Sequence, residues 1–294
     1  MRVLVTGAAG QLGATMVREL GRDLEVVALA RAQFELTQER AVLAEVSRWR
    51  PNVIVNCAAY NAVDLAEDEP VTALEVNALA VRTLARAAAS VDARLVHYST
   101  DFVFDGTASL PYAEDDTPNP RSVYAASKLL GEWFARDAPR HYVLRVESLF
   151  GGPNGNSSVD KIVGAILEGR DVRVFVDRTV SPSYVGDVVS ATRRLLRLGA
   201  PDGLYHCVNS GQVTWLGLAE EVVRVLGRPA RLVPVTTADV ALRATRPTFC
   251  ALSNSKLARA GVEMPSWQDA IRRFLEVRSM SWTSPVSRSG LGAR

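Results

Sequence analysis

Cysteine is scarce in this chain of 294 residues, and the three that occur, Cys57, Cys207 and Cys250, are far apart. The sequence contains no Cys-x-x-Cys pair and no cluster of cysteine with histidine. Structural zinc sites need such spacings, so we expect no bound metal. The same scarcity excludes a disulfide framework and favours a reducing compartment such as the cytoplasm.

Long apolar runs and an excess of one charge are also missing. No stretch approaches the roughly 18 consecutive apolar residues that cross a bilayer, and the first residues are typical of a strand rather than of a signal peptide. The 34 basic and 32 acidic residues leave a formal charge of +2. We therefore expect a cytoplasmic protein with neither a membrane nor a nucleic acid as partner.

Short apolar runs alternate with amphipathic stretches through the first half of the chain. Strands are predicted at residues 3–5, 25–29, 53–55, 95–98 and 142–146, and helices at residues 11–20, 39–49, 71–90 and 123–134. Uninterrupted apolar strands are typical of a parallel sheet covered on both faces. The alternation predicts an α/β fold with a Rossmann-type doubly wound parallel sheet.

The pattern changes after residue 150, where residues 151–156 have the composition of a loop. Shorter, mixed elements follow at 172–176, 187–198, 204–208, 215–226 and 267–277, and of these 187–198 and 215–226 are predicted to be helices. We predict an NAD(P)-binding core at 1–150 and a smaller C-terminal α/β lobe for the substrate at 151–278, with some elements returning to the core. Residues 279–294 are rich in Ser, Gly and Arg and are predicted to be a disordered tail.

A glycine-rich loop joins the first strand to the first helix. Gly7, Gly10 and Gly13 have the spacing G-x-x-G-x-x-G, and Gln11 and Leu12 begin the helix. Glycines let the backbone approach a pyrophosphate, whose charge is favoured at a helix N-terminus. The loop therefore predicts a dinucleotide site, with a purely structural turn as the alternative.

The second strand ends at Ala30 and Arg31, without the acidic residue that an NAD-preferring site places there. Arg31 is suited to pair with a 2′-phosphate, although a solvated surface arginine is the alternative and Glu35 lies close by. NADPH is the expected cofactor, with NADH possible.

Tyr124 and Lys128 are four residues apart on a predicted helix and therefore face the same space. A neighbouring ammonium lowers the pKa of a phenol, which can then exchange a proton with an oxyanion. Thr100 and Asp101 follow a predicted strand, at the sheet edge where ligands bind. Thr100 is a candidate to bind a substrate carbonyl and Asp101 a sugar hydroxyl, although Asp101 also suits a turn.

Together these segments resemble the extended short-chain dehydrogenase/reductase superfamily and, within it, the dTDP-4-dehydrorhamnose reductase family, over nearly the whole chain. The segments that carry the resemblance are residues 7–13, the Asn-Cys-Ala-Ala-Tyr-Asn-Ala-Val-Asp run at 56–64, the Tyr-Ser-Thr-Asp-Phe-Val-Phe-Asp-Gly run at 98–106, residues 124–128 with 131–132, residues 203–206 with 214–215, and residues 246–247 with 256–257.

The resemblance implies NAD(P)H-dependent reduction of the 4-keto group of a nucleotide-linked 6-deoxyhexose. It implies Tyr124 as the proton donor, Lys128 as its partner and a ribose ligand, and Thr100 as the polarising hydroxyl. Besides Tyr124 and Lys128, the implied cofactor contacts are Gly7, Gly10, Gln11, Leu12, Gly13, Arg31, Glu35, Leu36, Ala58, Ala59, Tyr60, Asn61 and Asn77.

The departures from the family pattern fall outside the hydride-transfer residues. Leu149 is interpreted as replacing the tryptophan of the family's Arg-Thr-Ser-Trp run, Leu65 stands where a lysine is common, and residues 177–183 differ from Asp-Gln-x-x-x-Pro-Thr. Arg178 and Arg246 are candidates to hold the substrate diphosphate, with structural ion pairs as the alternative. The exact sugar is therefore left open.

Two other functions share these motifs. A nucleotide-sugar epimerase uses the same glycine loop and Tyr/Lys pair, and some relatives look like non-catalytic NADP-binding regulatory subunits. The presence of Thr100, Tyr124 and Lys128 favours catalysis. Monomer and homodimer are both compatible with the sequence.

Overall fold

The computed structural model describes residues 1–32 and 34–282, except for the side chains of 279–282. The strands are β1 (Arg2–Thr6), β2 (Glu25–Leu29), β3 (Val53–Asn56), β4 (Arg94–Thr100), β5 (His141–Val146), β6 (Leu149–Phe150), β7 (Val172–Phe175), β8 (Thr179–Val180), β9 (Ser183–Tyr184), β10 (Gly203–His206), β11 (Val213–Thr214) and β12 (Leu232–Val235). The α-helices are α1 (Gln11–Leu20), α2 (Glu39–Trp49), α3 (Pro70–Leu74), α4 (Ala80–Ser90), α5 (Val123–Ala135), α6 (Ser158–Leu167), α7 (Val185–Leu198), α8 (Trp215–Leu226), α9 (Ser255–Arg259) and α10 (Trp267–Trp282). Over these described residues, every helix is too short or too polar to pass through a bilayer.

Six parallel strands form the central sheet in the order β10-β5-β4-β3-β1-β2. The apolar runs predicted this arrangement because a strand between two helical layers has no solvent-facing side, and β3 is indeed buried at every position. The Rossmann-type fold is therefore confirmed. The strand order reverses beside β1, so the carboxyl ends of β1 and β3 flank the crevice where ligands bind in such sheets.

Helices cover both faces of the sheet. On one face, Met16 of α1 and Leu195 of α7 belong to the same buried apolar cluster as β1, β4 and β5. On the other face, Val42 of α2 and Leu84 of α4 pack over Leu4 and Ile54. Because α7 follows the first 150 residues in the chain, the C-terminal half contributes one helix to this layer of the core.

The helix predicted at residues 71–90 is α3 and α4 joined by a π-helical turn, Glu75–Leu79. This turn carries Asn77, whose backbone carbonyl lies against Gly131 of α5 so closely that a β-carbon would not fit. Glycine at position 131 therefore permits the close packing of α5 on this helix.

The C-terminal lobe contains three two-stranded sheets, β7 with β12, β8 with β11 and β6 with β9. Helices α6, α8 and α10 pack on them around a separate apolar cluster that includes Phe150, Trp215 and Phe274. Strand β10 leaves this lobe and pairs with β5 in the central sheet. Helix α10 continues through Trp282, so the predicted tail begins too early at 279, and residues 283–294 lie outside the described residues.

A buried ion pair joins α5 to the sheet. Arg145 of β5 donates from Nε to Glu132 Oε1 and from Nη2 to Glu132 Oε2, each at 2.8 Å. Ser99 of β4 donates to the same carboxylate at 2.6 Å. Both charged side chains are almost completely buried, so each depends on the other for its stabilisation.

We predict that Glu132→Ala lowers the free energy of unfolding by about 3–5 kcal/mol, because Arg145 would remain charged and buried without its partner. Chemical denaturation measures the change. The control is Glu168→Ala, which removes an exposed ion pair with Arg170 and should change stability by about 0.5 kcal/mol or less. Equal losses in the two variants would contradict this prediction.

Candidate active site

A cleft of about 760 Å³ opens at the carboxyl edge of the central sheet. The sequence analysis named sixteen of the residues that line it: Gly7, Gly10, Gln11, Leu12, Arg31, Glu35, Leu36, Ala58, Ala59, Tyr60, Asn61, Thr100, Asp101, Tyr124, Lys128 and Leu149. The structure therefore brings the glycine loop, the Tyr/Lys pair and the Thr-Asp pair to one cavity.

Four predicted site residues lie outside the lining of this cleft: Gly13, Asn77, Arg178 and Arg246. Gly13 packs against the Gly7 carbonyl and permits α1 to start close to the loop. Asn77 accepts from the Tyr60 backbone N–H at 2.9 Å and donates to the Tyr60 carbonyl at 3.0 Å. Asn77 thus holds the segment that lines the cleft, and its own side chain is buried.

The glycine loop has the geometry of a phosphate cradle. Gly7 has φ +64°, and a β-carbon there would lie 2.6 Å from the Ala58 amide nitrogen. Gly10 precedes α1 without a side-chain cap, and the first turn of α1, which the structure describes in full, holds no acidic residue. The first amides of a helix lack intrahelical partners, so this end of α1 suits the pyrophosphate of a dinucleotide.

The end of β2 leads to the predicted 2′-phosphate contact. Arg31 Nε lies 3.9 Å from Glu35 Oε2, and the side chains are 89% and 45% exposed. Such an exposed pair contributes little stability. Glu35 also accepts from the Thr37 hydroxyl at 3.1 Å, so Arg31 can exchange this carboxylate for another anion at little cost.

Helix α5 positions the Tyr/Lys pair. Ser122 caps the helix by accepting from the Ala125 amide at 3.2 Å, and Tyr124 follows in the first turn. Lys128 Nζ donates to the Tyr98 carbonyl of β4 at 2.6 Å. Tyr124 and Lys128 are both buried, so the helix presents a phenol and an ammonium to the cleft in a largely dry setting.

Burial dominates the acid–base properties of this pair. It raises the pKa of Tyr124, as does the Asp101 carboxylate, while a hydrogen bond with Thr100 and the charge of Arg246 lower it. Thr100 and Arg246, rather than Lys128 as expected, are thus the groups that lower this pKa. Burial lowers the pKa of Lys128 to about 8, against the opposing charge of Glu132.

The two arginines proposed for the diphosphate lie apart from the glycine loop. Arg178 lines a second cleft of about 380 Å³ in the C-terminal lobe, and its Nε donates to the Pro247 carbonyl at 3.4 Å. Arg246 pairs with Asp64 at 2.8 Å and lies over the Phe102 ring at 5.8 Å. Arg246 thus makes an ion pair through Nη2, while its buried Nη1 has no hydrogen-bond partner among the described residues, and its contact with the diphosphate stays a prediction.

Ser148, and not Leu149 as predicted, stands at the position of the family's tryptophan. Counted from Arg145, the fourth residue of an Arg-Thr-Ser-Trp run falls on Ser148, and its third falls on Glu147. Ser148 has φ +45°, and both Ser148 and Leu149 line the main cleft. The aromatic ring of the family's tryptophan is therefore replaced by the small polar side chain of Ser148.

Sequence analysis missed two side chains next to Asp101. Glu147 and Cys250 are buried, and one ligand atom from each of the three residues lies within 4.8 Å of the others. Cys250 is remote in sequence, so no local pattern indicated it. Glu147 carried a signal in the departure from the family run at its third position.

A parallel sheet of this order, a phosphate cradle and a buried Tyr-x-x-x-Lys pair in one cleft define a dehydrogenase/reductase of the extended short-chain class. The family model described as RmlD substrate binding domain matches residues 1–280. The chain belongs to the dTDP-4-dehydrorhamnose reductase family.

Relatives with printed activities span nearly the whole chain. A dTDP-4-dehydrorhamnose reductase of Streptomyces griseus is 38% identical over 282 residues, which cover 92% of this chain and 91% of that protein. A probable dTDP-4,6-dihydroxy-2-methyloxan-3-one 4-ketoreductase of Streptomyces antibioticus is 38% identical over 277 residues, covering 92% and 94%. The crystal structure of the dTDP-4-dehydrorhamnose reductase of Bacillus anthracis in complex with NADP has a TM-score of 0.90 at 32% identity, covering 94% of this chain and 99% of that chain.

We predict that Gly7→Ala destabilises the protein more than Gly199→Ala does. Both glycines have similar positive φ values, but a β-carbon at Gly7 would meet backbone atoms at less than 3 Å, whereas a β-carbon at Gly199 would meet none of the described atoms within 4 Å. The left-handed conformation alone costs alanine about 1–2 kcal/mol. Urea unfolding measures the loss of stability in both variants. The loss in Gly199→Ala reports the cost of the backbone conformation, and the additional loss in Gly7→Ala reports the close approach of Ala58. Equal losses would argue against a tight loop.

Proposed function

We propose that this protein reduces the 4-keto group of a dTDP-linked 6-deoxyhexose with NADPH. The observation that carries the proposal is the meeting of the glycine loop with buried Thr100, Tyr124 and Lys128 in one cleft. The family and the names of the relatives support the substrate class, and the NADP complex of the Bacillus anthracis enzyme supports the cofactor.

Bound NADPH would supply a hydride to the keto carbon. Tyr124 Oη donates a proton to the oxygen that becomes the alcohol, while the Thr100 hydroxyl polarises the carbonyl beforehand. A buried phenol with a raised pKa holds its proton until a strongly basic alkoxide develops next to it. The dry cleft also strengthens these hydrogen bonds in the transition state.

Lys128 is proposed to bind the cofactor while its ammonium group stays hydrogen-bonded to the central sheet. Its bond to the Tyr98 carbonyl orients Nζ, and a pKa of about 8 keeps most of the group protonated at neutral pH. The remaining N–H groups are available to the nicotinamide ribose. Ala59, Tyr60 and Asn61 line the nicotinamide side, and Asn77 acts indirectly by holding Tyr60.

The nucleotide of the substrate is assigned to the C-terminal lobe. Arg178 shares the second cleft with Lys161, Arg170 and Trp215. Cationic side chains and an aromatic ring suit a diphosphate and a base. Asp101 and Leu149 line the main cleft together with the cofactor loop and are proposed to contact the sugar.

The division into a core at 1–150 and a substrate lobe at 151–278 stays a proposal, with β10 and α7 as the lobe elements that return to the core. Cytoplasmic location, monomer or homodimer, and the absence of a nucleic-acid partner or bound metal remain predictions. All three cysteines are free thiols, which is compatible with a reducing compartment.

The deciding experiment mixes purified protein with NADPH and a dTDP-4-keto-6-deoxyhexose. Oxidation of NADPH in a 1:1 ratio with formation of the alcohol is expected. Isomerised sugar without net oxidation would instead identify an epimerase, and cofactor binding without turnover would identify a regulatory subunit.

We predict that Tyr124→Phe lowers kcat by about 10²–10⁴-fold, because a positioned proton donor is lost. The phenyl ring keeps the buried contacts, so the unfolding free energy and the affinity for NADPH should change little. Stopped-flow or steady-state absorbance of NADPH measures the rate. A decrease in kcat below about tenfold would show that another group donates the proton.

We predict that Arg31→Ala weakens NADPH binding by about 1 kcal/mol and leaves NADH binding unchanged, because only NADPH carries the 2′-phosphate. Titration of both cofactors by fluorescence or calorimetry measures the difference. Arg22→Ala removes another exposed, paired arginine and should affect neither cofactor. Equal weakening of NADPH and NADH by Arg31→Ala would refute the contact.

A further inference from the structure

Three buried side chains from distant parts of the chain meet at the carboxyl edge of β4 and β5. Thr100 at the end of β4 pairs with Val146 at the end of β5, so the residues that follow, Asp101 and Glu147, lie next to each other. One oxygen of each carboxyl group and Cys250 Sγ all lie within 4.8 Å of one another. Asp101 is 4% exposed, Glu147 2% and Cys250 1%.

Backbone hydrogen bonds hold Cys250 in this cluster. Its N–H donates to the Thr179 carbonyl at 2.9 Å, and the Phe249 N–H donates to the Gly106 carbonyl at 3.3 Å. The thiol makes a long contact with the Pro247 carbonyl at 3.5 Å. The position of Cys250 therefore does not depend on a bond between its side chain and the two carboxyl groups.

Each carboxyl group of the cluster has one bonded and one unbonded oxygen. Asp101 Oδ1 accepts from the Thr100 hydroxyl at 2.9 Å, and Glu147 Oε2 accepts from the Ser181 amide at 2.7 Å. Asp101 Oδ2 and Glu147 Oε1 are buried without a hydrogen-bond partner among the described residues. Buried polar atoms are nearly always paired, because an unpaired acceptor loses its hydration without compensation. Two such acceptors beside a thiol indicate a positively charged ligand.

The charges around the cluster balance when a divalent cation is bound. Burial raises the pKa of all three groups, so that each is pushed toward its protonated form when no cation is bound. The Arg178 guanidinium opposes these shifts without cancelling them. Two carboxylates and a thiolate carry three negative charges, which a divalent cation and Arg178 together neutralise. Buried charges are tolerated when they are paired in this way or coordinate a metal.

The donor atoms select the class of cation. Calcium and magnesium require about six or more oxygen ligands, whereas a thiolate with two carboxylates suits zinc and related thiophilic ions. Ligand atoms around a tetrahedral zinc ion lie about 3–4 Å apart, so small side-chain rotations bring the three groups into range. Water from the main cleft, which Asp101 lines, can fill the remaining position.

We propose that Asp101, Glu147 and Cys250 form a binding site for a thiophilic divalent cation of the zinc type. Binding breaks the S–H bond of Cys250, the sulfur keeps the electron pair and bonds the metal, and the proton leaves to solvent. The cation ties together three segments of the chain and holds Asp101 beside Thr100. The expectation of no bound metal rested on local spacings of cysteine and histidine, which a site built from three distant segments does not have.

The test titrates untagged protein, stripped with a chelator, with zinc chloride in a calorimeter. We expect one ion per chain. Cys250→Ser should weaken zinc binding by at least about 100-fold and Glu147→Gln by at least about tenfold, since even indirect partners of metal ligands contribute 10–100-fold. The control is Cys207→Ser, which changes another buried free thiol and should leave the affinity unchanged. No zinc binding, or equal affinity in the native protein and Cys250→Ser, would overturn the proposal.

A second set of measurements uses the native protein alone and so does not depend on the folding of a variant. Cobalt(II) in place of zinc should show a sulfur-to-cobalt charge-transfer band, and calorimetry in two buffers of different ionisation enthalpy should count at least one proton released per ion. Bound cobalt without this band, or zinc binding without proton release, would show that Cys250 is not a ligand and overturn the site. Magnesium chloride should bind far more weakly than zinc chloride, and tighter magnesium binding would also contradict it. All these measurements omit substrate and cofactor, so their outcome is independent of the proposed function.

Discussion

The buried ion pair between Glu132 and Arg145 is the interaction on which the rest of the active cleft depends. Burying two charges is costly, and the bidentate bonds at 2.8 Å, the additional bond from Ser99 and the contact of Arg145 with His206 Nε2 at 3.4 Å compensate for the lost hydration. The pair fixes α5 against β4 and β5. Tyr124 and Lys128 belong to the same helix, so this contact also fixes their position at the edge of the sheet. The negative charge of Glu132 in addition raises the pKa of Lys128 and so favours its protonated form.

Close contacts between backbones complete the frame. Gly131 lets α5 meet the π-helical turn that carries Asn77, and Gly7 lets the cofactor loop meet the segment after β3 at Ala58. Asn77 then bonds Tyr60 on both backbone groups. The proposed nicotinamide surface is therefore held from two sides by positions where any β-carbon would collide, which explains how short loop segments can present a rigid binding surface.

Burial shifts the pKa values of neighbouring groups in the cleft in different directions. Burial raises the pKa of Tyr124 and lowers that of Lys128 to about 8, so the phenol is neutral at pH 7 while most of the lysine is still protonated. Asp101 and Glu147 are pushed in the same direction as the phenol. A site built this way keeps protons close to the reacting oxygen.

The sequence by itself determined the elements, the glycine loop and the Tyr124/Lys128 pair, because hydrophobic period, turn chemistry and i, i+4 spacing are local properties of the chain. The order and register of the strands were decided by the tertiary structure. This order and register pair β10 with β5 and bring Lys128 within hydrogen-bond distance of the Tyr98 carbonyl. They also place Asp101 next to Glu147, while Arg178 lies in a separate cleft. These contacts join residues that are remote in sequence, and only packing of the sheet and its helices determines which distant side chains share a low-dielectric space.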